Sequence, residues 1–76
     1  MNEQIVLPSG SRGSHVRRRL HRHLRMLEQV DGHSTDLQCE KAICEQLLKV
    51  GSVDIGFAGE AHDMRRAFYA MKRMLG

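Results

Sequence analysis

Three stretches of the chain repeat apolar residues at helical spacing, and glycine- and serine-rich pieces separate them. In the first, Val16, Leu20, Leu24, Leu27 and Val30 share one face at about 100° per residue, with Met26 at its flank and His23 inside it. The opposite side carries Arg18, Arg22 and Arg25, with Arg17 and His21 beside them. This pattern predicts an amphipathic helix from His15 to Val30, capped by Ser14 and stopped near Gly32.

The second stretch places Leu37, Ile43, Cys44, Leu47, Leu48 and Val50 on a broad face, which calls for two packing neighbours. It predicts a helix from Asp36 to Val50, opened by a capping box of Thr35 and Gln38 and ended by Gly51. In the third, Phe57, Ala61, Met64, Phe68, Met71 and Leu75 lie alternately four and three residues apart, the spacing of a heptad seam. The corresponding helix runs from Phe57 to Leu75. Residues 51–56 suit a turn between antiparallel helices, with room for a short extended piece at Val53–Ile55.

Ahead of these helices, Pro8, Ser9, Gly10, Ser11, Gly13 and Ser14 cluster with nothing periodic to pack. Residues 1–14 therefore read as a flexible N-terminal arm, and 15–76 as a single helical domain. The expected fold is all-α: a helical hairpin extended by a third helix. A chain of 76 residues builds a marginal core, and association is one common remedy. The seam on the third helix, with Ala67 and Ala70 allowing close approach, is the expected contact of a homodimer.

Charge sharpens the picture. The net charge of +3 conceals a strong polarity: residues 1–25 hold six arginines and one acid, Glu3, while residues 26–76 hold six basic and eight acidic side chains. No acid occurs between Arg12 and Arg25. The second and third helices carry acids near their starts and bases near their ends, as the helix dipole favours. The first does the reverse if it begins at His15, because Arg17, Arg18 and Arg19 then fall in its first turn. Antiparallel packing against the carbonyl end of the second helix, or an external anion, would offset that penalty. On the third helix Arg65, Arg66, Tyr69, Lys72 and Arg73 recur on the side away from the seam, and cations interleaved with an aromatic suit phosphate contact and stacking.

Motifs for catalysis or metal binding are lacking. His21 and His23 point in nearly opposite directions on a helix, and Cys39 and Cys44 diverge likewise, so no pair has ligand spacing. A site assembled across elements, with His33, is the remaining metal option. Two cysteines too far apart on one helix to bridge read as reduced thiols, which fits a cytoplasmic protein. Glu40 on the apolar side of the second helix needs a donor, and His23, inside the apolar face of the first helix, and Arg19 are the two candidates. Residues 56–59 form a lone Gly-x-x-Gly without the lysine or strand that would give it meaning.

The sequence thus points to a small non-enzymatic regulator or adaptor without cofactor or metal. The leading partner is another protein, held by the apolar seam (Phe57, Ala61, Met64, Phe68, Met71, Leu75) and steered by the arginine face. The alternative partner is nucleic acid, with Arg17, Arg18, Arg22, Arg25 and the third-helix stripe on its phosphates. No apolar run approaches the length of a membrane span, and membrane association is not expected.

Overall fold

The computed structural model describes residues 3–32 and 34–76, so His33 lies outside the described residues. The order of elements is β1 (Gln4–Val6), α1 (Gly10–Gln29), α2 (Thr35–Val50), β2 (Ser52–Asp54), a 3-10 turn (Ile55–Ala58) and α3 (His62–Leu75). The fold is mostly helical, with a small two-stranded antiparallel ribbon in place of the all-α arrangement expected.

Within the stretch read as an arm, residues 4–6 form β1 and α1 begins at Gly10. Ile5 of β1 pairs with Val53 of β2, and both side chains are buried. The ladder continues at each end, as Leu7 donates its N–H to the Gly51 carbonyl at 2.9 Å and Ile55 donates to that of Glu3 at 2.8 Å. Ile5 and Leu7 join the core of the helices, which supplies the hydrophobic face that a ribbon of three-residue strands needs.

Helix α1 starts at Gly10, five residues before the expected His15, with Ser9 rather than Ser14 at the N-cap. Ser14 instead donates from its hydroxyl to the Gly10 carbonyl at 3.5 Å. Of the two glycines that read as loop, Gly13 is used for contact: a Cβ there would lie 2.0 Å from the Pro8 carbonyl oxygen. With this earlier start, Arg17, Arg18 and Arg19 leave the first turn, and the dipole conflict inferred for them disappears. The inward face matches expectation, with Val16, Leu20 and Leu27 buried.

Helix α2 is close to its expected span. Its N-cap is Ser34, whose hydroxyl accepts from the N–H of Leu37 at 3.3 Å, a single cap bond in place of the expected Thr35–Gln38 capping box. Gly51 ends the helix in the left-handed region, at φ 92°, where a Cβ would be strained. As its broad apolar face requires, α2 packs against both α1 and α3.

The two packings differ in direction. Between α1 and α2, Arg17 meets Leu48 and His23 meets Glu40, so the helices run antiparallel as a hairpin. Between α2 and α3, Asp36 meets Arg66 and Cys44 meets Met71, so these two run in the same sense. Residues 51–61 are therefore a crossover carrying β2 and the 3-10 turn, not the antiparallel turn expected. Gly59, at φ 61°, divides that turn from α3, which consequently starts at His62 rather than Phe57. Phe68, Leu20, Ile43, Leu47, Met71 and Cys44 form the fully buried centre, to which all three helices contribute.

Candidate functional site

Five of the six arginines of α1 divide by their place around the helix. Arg17 and Arg19 flank the buried stripe on its two sides, and each reaches a neighbouring helix. Arg17 donates from Nη1 to the Leu48 carbonyl at 3.3 Å, and Arg19 donates from Nη2 to the Met74 carbonyl at 3.2 Å. Both carbonyls lie in the last turn of their helix, where intrahelical donors run out and the dipole is negative. Arg17, expected as a partner contact, is thus bonded inside the molecule. The expected proximity of α1 to the carbonyl end of α2 is what the structure has.

Arg18, Arg22 and Arg25 occupy the pole opposite the core and are exposed. Among the described residues none of the three enters an ion pair. Arg12 lies on the same helix, in its first turns, and is also exposed. From Arg18 to Arg25 the pole spans about 10 Å at the helical rise of ~1.5 Å per residue.

The second basic surface runs along the outer side of α3. His62, Arg65, Arg66, Tyr69 and Arg73 line a groove of about 410 Å³. Four of these were expected from the sequence. His62 was missed, although it precedes Tyr69 by seven residues and so falls on the same face. Lys72, the fifth expected residue, is held by Glu3 at 2.9 Å, and Glu3 also accepts from the Tyr69 hydroxyl at 3.1 Å. These two bonds hold the Glu3 carboxyl below its ordinary pKa, the Lys72 bond contributing most. The Tyr69 ring meets Phe68 edge to face, with centroids 5.4 Å apart.

The remaining cations of the groove are differently engaged. Arg66 lies 3.6 Å from Asp36 with both side chains more than half exposed, a pairing of little strength. Arg65 donates from Nε to the Gly59 carbonyl at 2.9 Å, which leaves its terminal nitrogens to other acceptors. Glu3 and Asp36 are the acids of this surface that sequence reasoning did not find. They come from β1 and α2, and no local pattern links either to α3.

The apolar seam is divided. Phe68 and Met71 are fully buried in the chain's own core, and Met64 and Leu75 pack against that core. Phe57 is 43% exposed on the 3-10 turn, and Ala61 is the exposed N-cap of α3. Phe57 and the exposed Val50 border a groove of about 340 Å³ with Gln4, Gln46, Ser52 and Asp54, and Val6, Met26 and Val30 are exposed as well. His23 and Glu40 meet at 3.3 Å between α1 and α2, one of the two pairings expected for Glu40; Arg19, the other candidate, reaches the Met74 carbonyl instead.

Both cysteines are free thiols. Burial pushes Cys44 up to about 11, with Glu40 and Glu45 adding to the effect. Cys39 is also raised, by desolvation first and by Asp63 and Asp36 after it. Neither is activated as a nucleophile or ligand. Among the described residues no three His, Cys, Asp or Glu side chains converge on a common point, and no helix is long and apolar enough to cross a membrane. Comparison with protein-family models, curated proteins and solved structures finds no match to this chain.

Proposed function

We propose that this protein is a small non-enzymatic regulator that binds nucleic acid through its phosphates. The observation that carries the reading is the exposed pole of Arg18, Arg22 and Arg25, which lies in an acid-free stretch and has no ion pair among the described residues. Three cations within a span of about 10 Å on a rigid helix match a polyanion, for which each neutralised phosphate releases counterions. The burial of Phe68 and Met71 inside the chain removes the centre of the seam that made a protein partner the stronger expectation.

The test is a titration of labelled random duplex DNA at low and at physiological salt. Binding should weaken with a log–log slope of about 0.9 per phosphate neutralised. Absence of binding at low salt would sink the reading.

A protein partner, with a homodimer as its simplest form, is the second reading. It is favoured by Val50 and Phe57, 59% and 43% exposed on one groove. Sedimentation at micromolar concentration tests it: Val50→Ser with Phe57→Ser should dissociate a dimer, and a strictly monomeric wild type excludes one.

A further inference from the structure

The α1 pole consists of cations alone, whereas the α3 groove holds an aromatic ring among them. We infer that this groove binds an unpaired nucleotide of single-stranded nucleic acid, with the base stacked on Tyr69 and the flanking phosphates on Arg66 and Arg73. The inference rests on the nucleic-acid reading above and narrows it.

Geometry along the helix motivates the assignment. Tyr69 follows Arg66 by three residues and precedes Arg73 by four, so the ring sits midway between two cations about 10 Å apart along the axis. Such a unit, a π-face between two phosphate-seeking groups, is the repeating feature of surfaces that hold single strands without reading sequence. The ring is already fixed, by its hydrogen bond to Glu3 and its edge-to-face contact with Phe68. Little side-chain freedom is left to lose on binding. The groove volume of about 410 Å³ falls within the range for small organic ligands.

Charge sets the polarity of the site. Glu3 lies against Lys72 and the Tyr69 hydroxyl, so that flank is neutralised and offers a phosphate no free cation. Arg66 and Arg73 lie on the other flank of the ring. The Arg66–Asp36 pair, at 3.6 Å between exposed side chains, exchanges readily for a phosphate. A duplex keeps its bases stacked inside and offers Tyr69 only its sugar–phosphate exterior, so the ring selects an unpaired base.

The chain contains one tyrosine and no tryptophan, so its intrinsic fluorescence reports Tyr69 alone. The experiment titrates the protein with an oligodeoxythymidylate, its duplex with oligodeoxyadenylate, and an abasic oligomer of the same length. Emission is referenced to free tyrosinamide in the same solution, and binding is followed in parallel by anisotropy of labelled oligomers. The single strand should quench Tyr69, and the duplex and abasic oligomer should bind without quenching. Tyr69→Leu should weaken single-strand binding about tenfold. Tyr69→Phe should retain it, since stacking needs the ring and not the hydroxyl. Single-strand binding without quenching, or equal quenching by the abasic oligomer, overturns the inference and leaves the nucleic-acid reading intact. Duplex binding without single-strand binding does the same. Failure of all three ligands to bind at low salt overturns both.

Discussion

Arg17 and Leu48 are joined by a 3.3 Å hydrogen bond from guanidinium to backbone carbonyl, across 31 residues of sequence. Two positions on, Arg19 does the same for Met74 at the end of α3. One turn of α1 therefore anchors the carbonyl ends of both other helices, while Arg18, between the two anchors, faces solvent. Adjacent arginines in one run have different work.

This division predicts opposite phenotypes along a single helix. Arg17→Ala and Arg19→Ala should each destabilise by about 0.5–1 kcal/mol, the usual worth of a cation at a helix C-terminus. Arg18→Ala and Arg22→Ala should leave stability within about 0.5 kcal/mol. The latter pair should lower nucleic-acid affinity and make the salt slope shallower, by about 0.9 for each phosphate left without its arginine. Urea midpoints at constant m, alongside salt titrations, separate the two classes. Equal loss of stability at Arg18 and Arg19 would contradict the division.

Gly13→Ala should destabilise the protein. Helix propensity alone predicts the reverse, by about 1 kcal/mol in favour of alanine. The added methyl, however, would lie 2.0 Å from the Pro8 carbonyl oxygen, so the backbone between β1 and α1 must shift. Thermal melts decide the sign, and a stabilised variant would show that the Pro8 contact yields without cost.

In the core, Phe68→Ala should cost about 3–5 kcal/mol and Met71→Ala about 2–5 kcal/mol, enough to unfold a domain of this size. Cys44→Ser places a hydroxyl in the fully buried position beside the Met71 sulfur, 3.9 Å away, and should cost about 1–3 kcal/mol. The native Cys44 thiol, pushed up to about 11 and buried, should resist an aromatic disulfide reagent that the more accessible Cys39 meets first. Counting thiols before and after adding denaturant tests this. Rapid modification of both in the native protein would be inconsistent with the packing described.

Glu3 should make stability depend on acid. Its folded pKa is depressed by Lys72 first and by Tyr69 second, so its contribution is fully present above the unfolded value of about 4.3. That contribution disappears as pH falls through the lower folded value. Melting curves of wild type and Glu3→Gln should differ at neutral pH and converge in this acid range. A difference that persists at the lowest pH would show that the ionised carboxylate is not its source.

Parts of this architecture were legible because they depend on local pattern. The inward face of α1, the stop at Gly51 and the His23–Glu40 pairing follow from helical periodicity and from the need of a buried polar group for a partner. β1 was not legible, since three residues cannot establish an alternation and Ile5 is buried only by the tertiary contact with β2 and the helical core. The start of α1 was hidden by Gly10 and Gly13: the backbone takes φ 72° at Gly10, and at Gly13 the Pro8 carbonyl occupies the space of a side chain. The heptad spacing ran through Gly59 and joined Phe57 to Phe68, although the backbone turns between them. For the α3 groove, the cations and Tyr69 were visible in sequence. Glu3 and Asp36, which decide how those cations are engaged, arrive only with the tertiary fold.

The crossover between α2 and α3 has a consequence for how the chain folds. α1 and α2 are neighbours in sequence and close their hairpin over a short loop. β1, by contrast, must wait for a strand 48 residues downstream, from Ile5 to Val53, and Glu3 for Lys72 at a separation of 69. These are loop closures whose entropy is lost before the pairings return it, and they raise the contact order of a helical protein toward that of mixed folds. The hairpin should therefore form early and the ribbon late, so Glu3 reaches Lys72 and the Tyr69 hydroxyl, beside the α3 groove, as one of the last events of folding.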